Sequence, residues 1–201
     1  MDSKVRRHFK KVDPVFFEVI SKYNDLEIGT SLAPKEYFVA LCREILGQQL
    51  SGKVADVIYN RFKLLFPKQQ ITAKSLLKLS HEQLRATGMS NSKVKFLQDL
   101  AQKVESKELS LADLTSLDDE GVIKELTKVK GIGPWTAEMF LIFALGREDV
   151  FSFGDLGLNN ALKKIYDIKT GTKEEIELIV AKWSPYRSYA CRILWKSLDN
   201  R

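Results

Sequence analysis

Two glycines separated by one aliphatic residue, Gly131 and Gly133, lie between two predicted helices. Glycine permits backbone conformations that a Cβ would prevent, so the chain can reverse here and approach another backbone closely. Pro134 suits the first position of the second helix, whose first N–H groups have no partner within the helix and carry the positive end of its dipole. With Lys128 and Lys130 beside it, this turn predicts a site that binds an anion through backbone amides.

A second segment places a carboxylate in apolar surroundings. Asp155 follows Phe151 and Phe153 in a short extended crossing and stands where a helix begins, just before Leu156. Aspartate is among the best N-caps, so a purely structural role is one interpretation, and a functional carboxylate is the other. Two effects on its pKa oppose each other, because the aromatic neighbours favour the neutral form and the helix N-terminus favours the charged form.

The hydrophobic periodicity of the chain predicts an all-α fold around these two features. Apolar residues recur at helical spacing in nearly every long segment, and no segment sustains the alternation of a half-buried strand. One helix is predicted from the N-cap Asp118 to about Val129, and with the helix from Pro134 it forms a hairpin at about 118–146. Further helices are predicted on both sides of residues 47–49, at 72–79, at 81–86, after the turn at 88–91, and at 172–183 and 185–198.

Composition limits the class of protein. The 201 residues include 32 Lys+Arg and 26 Asp+Glu, which gives a formal net charge of +6. With 44% hydrophobic residues, the chain can form one domain, residues 1–201, with a substantial core, and intrinsic disorder is excluded for most of it. Cys42 and Cys191 are too few for an Fe–S cluster or a four-thiolate zinc site, so we expect two buried thiols.

The N-terminus and the apolar runs bear on location. Residues 1–11 are basic and are not followed by an apolar segment, so we expect a loosely ordered basic tail and no signal peptide. No apolar run approaches the length of a membrane helix. These features predict a soluble intracellular protein.

The combination of hairpin, apolar crossing and aspartate at a helix start resembles the helix-hairpin-helix (HhH-GPD) DNA glycosylases. In that motif, backbone amides hold a DNA phosphate without reading sequence. The segments GIGPWTA (131–137), DVF (149–151) and GDLGL (154–158) are most similar to the 3-methyladenine DNA glycosylase II, or AlkA-like, branch. The resemblance runs from about residue 34 to 195 and includes LGQQLS (46–51) and WSPYRSYA (183–190). It implies a two-lobed helical fold with the DNA and base pocket between the lobes, and without the N-terminal β-rich domain of some relatives.

The resemblance implies that Asp155 is the catalytic aspartate. As the base leaves, the sugar becomes oxocarbenium-like, so an ionised carboxylate stabilises the developing charge and can orient or deprotonate the attacking water. In bifunctional glycosylase–lyases of the superfamily a lysine just after the hairpin attacks the sugar, and that position matches Trp135 here. The resemblance therefore implies a monofunctional enzyme that removes alkylated purines such as N3-methyladenine and N7-methylguanine, leaves an abasic site and requires no cofactor.

Four residues match positions that line the base pocket of the family. Bases alkylated at N3 or N7 carry a positive charge, which favours stacking on an aromatic face. Trp135 and Trp195 can supply such a face, although core packing is the alternative for both. Met139 and Leu156 stand where a bacterial relative has tyrosines, which leaves the range of substrates open.

The resemblance also implies DNA contacts. Gln49 matches the wedge that fills the space left by a flipped nucleotide, and a polar loop between core helices is the alternative. Ile132 is expected to pack between the hairpin helices. The predicted DNA-binding residues are Gln48, Gln49, Ser90, Lys93, Lys128, Lys130, Gly131, Gly133 and Thr136. A monovalent or divalent cation, held by the backbone carbonyls of Thr127, Val129 and Ile132, is expected to bridge the hairpin to phosphate.

Two other functions compete with a monofunctional glycosylase. A non-catalytic protein that binds damaged DNA or an unusual DNA structure would keep the hairpin but would not need the carboxylate of Asp155. A glycosylase–lyase for oxidised bases is disfavoured by Trp135. The expected partner is double-stranded DNA with alkylated bases, bound by a monomer in the cytoplasm or nucleoid of a bacterium or in the nucleus of a eukaryote.

Overall fold

The computed structural model describes residues 2–23 and 31–199, and these residues form helices and loops without a β-strand. The all-α prediction is confirmed. None of the helices in these ranges is long and apolar enough to span a bilayer. The α-helices within them are α1 (Ser3–Val12), α2 (Pro14–Ser21), α3 (Tyr37–Gly47), α4 (Gly52–Leu64), α5 (Ala73–Leu76), α6 (His81–Arg85), α7 (Asn91–Glu105), α8 (Asp119–Leu126), α9 (Pro134–Phe143), α10 (Leu156–Tyr166), α11 (Lys173–Ala181) and α12 (Arg187–Asp199).

One compact unit comprises residues 32–145 and contains α3 to α9. Helix α3 is its centre, because it packs against α4, α7 and α9 and buries Leu41, Ile45 and Leu46. Asp118 caps α8 as predicted, since its Oδ1 accepts a hydrogen bond from the Gly121 N–H at 2.8 Å. This unit therefore contains both hairpin helices and the helix that supports them.

The other compact unit comprises residues 1–31 and 146–201, and its described part contains α1, α2 and α10 to α12. The fully buried Trp183 stacks on Phe16 with ring centroids 4.5 Å apart. Asp13 is buried beside them and accepts hydrogen bonds from Trp183 Nε1 at 2.9 Å and Tyr166 Oη at 2.5 Å. Burial and the bond to Asp13 raise the pKa of Tyr166, so the phenol stays a hydrogen-bond donor.

The expectation of a loosely ordered N-terminal tail is wrong for the described residues. They form helix α1, which Asp2 caps by accepting the Lys4 N–H at 2.8 Å. Val5 and Phe9, four residues apart, lie on one face and are buried, while the basic side chains of Lys4 and Arg7 remain exposed. The i, i+4 apolar pair orders the helix despite its charge, because burial stabilises it more than propensity does.

Phe9→Ala is expected to lower the free energy of unfolding by about 3–5 kcal/mol, because Phe9 is fully buried against Phe16 and Trp183 and its loss leaves a cavity. Urea unfolding followed by circular dichroism measures this. Lys10→Ala, one residue along on the exposed side of the helix, should change stability by no more than about 0.5 kcal/mol. Equal stabilities of the two variants would show that α1 does not contribute to the core.

Candidate functional site

The turn between α8 and α9 has the predicted hairpin geometry. Val129 and Ile132 are buried, so Ile132 packs into the hairpin as expected. Gly131 has a φ of +83°, and a Cβ at this position would lie 2.1 Å from the ring of Phe96 on α7. Both the left-handed backbone and the adjacent ring therefore require glycine here. Helix α8 ends at Leu126, earlier than the predicted Val129.

The first turn of α9 is open to a ligand. Gly133 is its N-cap and Pro134 its first residue, and no described side chain caps the helix. A Cβ built on Gly133 would meet no heavy atom within 4 Å. Because no described side chain caps this end, it presents the positive end of the helix dipole, as an anion site requires.

The two lysines beside the hairpin are paired with acidic side chains rather than unopposed. Lys128 Nζ lies 2.7 Å from both carboxylate oxygens of Glu125. The backbone N–H of Lys130 donates to Asp99 Oδ2 at 2.9 Å, while its Nζ is 3.7 Å from Asp99 Oδ1 with the side chain 75% exposed. Exposed ion pairs are weak, so phosphate can compete for either lysine, and their contact with DNA stays a prediction.

Gln48 and Thr136 hold the hairpin in place. Gln48 Nε2 donates to the Gly131 carbonyl at 2.8 Å and to Thr136 Oγ1 at 3.2 Å. Thr136 is only 4% exposed and its hydroxyl is engaged by Gln48, and its predicted contact with DNA stays a prediction. The side-chain amide of Gln48 is engaged within the protein, where it joins the loop after α3 to the hairpin.

The Lys93 side chain contacts backbone carbonyls of the protein. Its Nζ donates to the carbonyls of Leu46 at 2.7 Å and Gln48 at 2.8 Å, and burial lowers its pKa. The ammonium satisfies carbonyls at the C-terminal end of α3, where a cation is favourable, and its contact with phosphate stays a prediction. Ser90 caps α7 by accepting the Lys93 N–H at 3.3 Å, and its contact with DNA stays a prediction.

Gln49 has a left-handed backbone conformation. It is exposed between α3 and α4 and has a φ of 58°, which is uncommon for a residue other than glycine. Such strain is maintained only when neighbouring structure imposes it, and it clusters at functional sites. This is compatible with the predicted wedge, which no contact in the structure tests.

Asp155 has the capping role that the sequence offered as one alternative, and its catalytic role stays a prediction. It is 8% exposed, and its Oδ1 caps α10 by accepting the Leu158 N–H at 2.8 Å. Its Oδ2 accepts a hydrogen bond from Trp195 Nε1 at 3.3 Å. A Cβ on Gly157 would lie 3.1 Å from Asp155 Oδ1, so that glycine leaves room for the carboxylate.

The four predicted base-pocket residues differ in exposure. Trp135 on α9 is 43% exposed, which argues against core packing, whereas Met139 on the same helix is buried. Leu156 is 77% exposed at the start of α10. Trp195 is half-buried, and its indole N–H is engaged by Asp155, so it positions the carboxylate whether or not it also stacks on a base.

Asp149, the other carboxylate near the crossing, has a structural role. Burial opposes its ionisation, but hydrogen bonds from Arg187 and Ser184 outweigh that effect and lower the pKa of Asp149. Arg187 Nε donates to Oδ1 at 2.7 Å, and Ser184 Oγ donates to Oδ2 at 2.8 Å. The pair anchors the crossing before Asp155 to the start of α12.

The cation at the hairpin stays a prediction. The Val129 carbonyl accepts the Ile132 N–H at 3.1 Å, and a carbonyl oxygen retains a second lone pair for a cation. Among the described residues, no cluster of three or more His, Cys, Asp or Glu side chains could hold a metal ion. Cys42 and Cys191 are buried free thiols, as predicted.

Comparison with known proteins agrees with this geometry. The family described as "HhH-GPD superfamily base excision DNA repair protein" matches residues 42–185, from within α3 to just before α12, so the match includes the hairpin and Asp155. This chain belongs to the HhH-GPD superfamily. The all-α fold and the hairpin of the described residues are those that the sequence resemblance implied.

Several HhH-GPD proteins are similar over most of their length. DNA-3-methyladenine glycosylase 1 of Schizosaccharomyces pombe is 31% identical, with 97% of this chain and 87% of that protein covered. The structure of the S. pombe 3-methyladenine DNA glycosylase Mag1 in complex with abasic DNA matches with a TM-score of 0.83, 29% identity, and 98% and 97% of the two chains covered. A DNA-3-methyladenine glycosidase structure from Bacillus halodurans matches with a TM-score of 0.83, 34% identity, and 99% and 90% coverage.

Sequence reasoning missed several residues that shape this HhH-GPD site. Phe96 and Asp99 on α7 support the hairpin from the side, and Gly157 leaves room beside the carboxylate. Glu44 on α3 faces the same cavity as Trp135. Phe96 and Asp99 are three residues apart on α7, and each is followed by a buried leucine, Leu97 and Leu100. This spacing indicates a side of the helix that faces a neighbour, but nothing in the local sequence identifies that neighbour.

Proposed function

We propose that this HhH-GPD protein is a monofunctional DNA glycosylase of base excision repair. It hydrolyses the N-glycosidic bond of alkylated purines in double-stranded DNA and leaves an abasic site. The observation that carries the proposal is the buried carboxylate of Asp155, with one oxygen capping α10 and the other held by the Trp195 indole. The names and the DNA-bound complex of the similar proteins support the same reaction.

The carboxylate acts on the sugar. When the bond between C1′ and the base breaks, its electron pair leaves with the base and positive charge develops on the sugar. Ionised Asp155 stabilises that charge, and as water adds to C1′ the carboxylate can accept the proton that the water loses. The fixed hydrogen bonds from Leu158 and Trp195 orient the group before the reaction begins.

The enzyme works without a covalent intermediate. Trp135 occupies the position where a lyase has its nucleophilic lysine, and an indole cannot form a Schiff base with the sugar. Its exposed face is instead suited to stack on a purine, and alkylation at N3 or N7 strengthens that stacking through the positive charge of the ring.

The protein holds DNA through the phosphates of the DNA backbone. The uncapped amides at the start of α9 bind a phosphate, and the formal net charge of +6 favours association with DNA generally. Gln49, exposed and held in a left-handed conformation, fills the stack when the damaged nucleotide leaves it. In this proposal the protein acts as a monomer in the compartment that holds the genome, which is the cytoplasm or nucleoid of a bacterium or the nucleus of a eukaryote.

The test is the release of free bases from DNA treated with a methylating agent, separated by chromatography. We expect release of N3-methyladenine without strand cleavage, and no protein–DNA adduct after treatment with borohydride. A trapped adduct would show a glycosylase–lyase. Binding to the methylated DNA with no base released would identify a non-catalytic damage-binding protein.

A further inference from the structure

A second carboxylate, Glu44 on α3, faces the cavities beside the predicted base-pocket helix. One cavity of about 580 Å³ is lined by Glu44, the loop at 47–50, Gly131, Trp135 and Thr136. Another of about 810 Å³ is lined by Glu44 together with Met139, Phe140 and Phe143. Glu44 therefore lies along the face of α9 that carries the exposed Trp135 and the buried Met139.

The residues around Glu44 do not compensate its negative charge. Burial raises the pKa of the Glu44 carboxyl, and the positive charge of Arg43 offsets that rise only in part. Arg43 is itself directed to Asp56, with 3.2 Å between its Nη2 and Asp56 Oδ1. No side chain among residues 2–23 and 31–199 forms a hydrogen bond or ion pair with the Glu44 carboxylate. A partly buried carboxylate left unpaired costs free energy, so this arrangement favours a cationic partner from outside the protein.

We infer that Glu44 is a specificity-determining residue, whose carboxylate selects purines that carry a positive charge from alkylation of the ring. This inference rests on the proposed function and assigns Glu44 to the same base-binding face as Trp135. A cationic base compensates the desolvation of the carboxylate, whereas a normal purine or a neutral lesion leaves it unpaired. Discrimination thus arises from a penalty on neutral bases as well as an attraction for charged ones.

The chemistry of the reaction places this effect in binding rather than in bond cleavage. The alkylated ring is positive while it is attached to the sugar. As the C1′–N bond breaks, the ring receives the electron pair and becomes neutral, and the positive charge moves to the sugar. Because the ring keeps much of its positive charge until the C1′–N bond is fully broken, Glu44 stabilises the bound nucleotide and the transition state to a similar extent, whereas Asp155 acts on the charge that develops on the sugar.

The direct test is binding to DNA that carries N7-methylguanine on a 2′-fluorinated sugar, because the fluorine prevents hydrolysis by disfavouring the sugar cation. The same oligonucleotide with unmethylated 2′-fluoroguanine is the neutral reference, and fluorescence anisotropy gives both dissociation constants. Glu44→Gln, which keeps the size of the side chain, is expected to reduce the preference for the cationic base roughly tenfold. Glu44→Asp should retain part of it. Glu105→Gln, the same change at an exposed position on α7, should retain all of it.

Single-turnover kinetics on ordinary N7-methylguanine DNA separate Glu44 from a catalytic residue. Glu44→Gln is expected to raise the protein concentration for half-maximal rate roughly tenfold and to leave the saturated rate within about twofold. An unchanged binding preference, or an equal loss of binding to both oligonucleotides, would overturn the inference. Because the fluorinated probes need no turnover, a wild-type protein that releases no base but retains the Glu44-dependent preference would contradict the proposed function alone.

Discussion

Asp155→Asn is expected to reduce the rate of base release roughly a thousandfold while affinity for DNA with an abasic-site analogue stays within about threefold. Asparagine is as good an N-cap as aspartate, so its amide oxygen can still accept the Leu158 N–H that Oδ1 accepts now. The variant thus keeps the start of α10 but removes the negative charge that opposes the charge on the sugar. Single-turnover release of N3-methyladenine and equilibrium binding measure the two effects.

Asp118→Asn is the matched control, because Asp118 caps α8 in the same way, through the Gly121 N–H at 2.8 Å. It should leave base release unchanged. Should Asp155→Asn lose DNA binding and thermal stability in parallel with base release, Asp155 would be a structural cap and the catalytic proposal would be wrong.

Gly131→Ala should produce the second largest effect, a loss of DNA affinity of about tenfold or more with a destabilisation of about 1–3 kcal/mol. The φ of +83° strains any residue with a side chain, and the new Cβ would lie 2.1 Å from the Phe96 ring. The hairpin must shift, and the amides at the start of α9 shift with it. Binding to undamaged duplex DNA and urea unfolding measure the two effects.

Gly133→Ala separates the effect of covering the amides from the effects of backbone strain and of the clash with Phe96. Gly133 has a φ of −94° and open space around its Cβ position, so alanine should leave stability nearly unchanged and weaken DNA binding only by covering the amides. Phe96→Ala in the Gly131→Ala background should recover part of the lost stability, since it removes the clash but not the backbone strain. Wild-type affinity for Gly131→Ala would show that the hairpin does not bind DNA.

Local features of this protein were predictable because local chemistry determines them. The hairpin follows from two glycines and a proline within four residues, and the helices from apolar spacing. The caps formed by Asp118 and Asp155 follow from an aspartate placed just before a segment with helical apolar spacing. None of these depends on a distant part of the chain.

The intramolecular partners of polar side chains could not be predicted from position, because tertiary contacts decide them. Lys93 has the sequence context of a phosphate-binding lysine, yet the carbonyls that it contacts lie 45 and 47 residues away. Thr136 follows the hairpin as in the motif but faces Gln48, 88 residues earlier. A flexible side chain can reach many partners, and only the folded chain shows which one is within hydrogen-bonding distance.

The sequence by itself determined the helical class, the hairpin and the aspartate that caps α10, because each is encoded in a few adjacent residues. Only the tertiary structure decided that the second oxygen of Asp155 is held by the Trp195 indole, that Phe96 closes against Gly131, and that Glu44 faces the Trp135 cavity. These contacts depend on how helices pack, and packing is set by the shape complementarity of entire faces rather than by any local pattern.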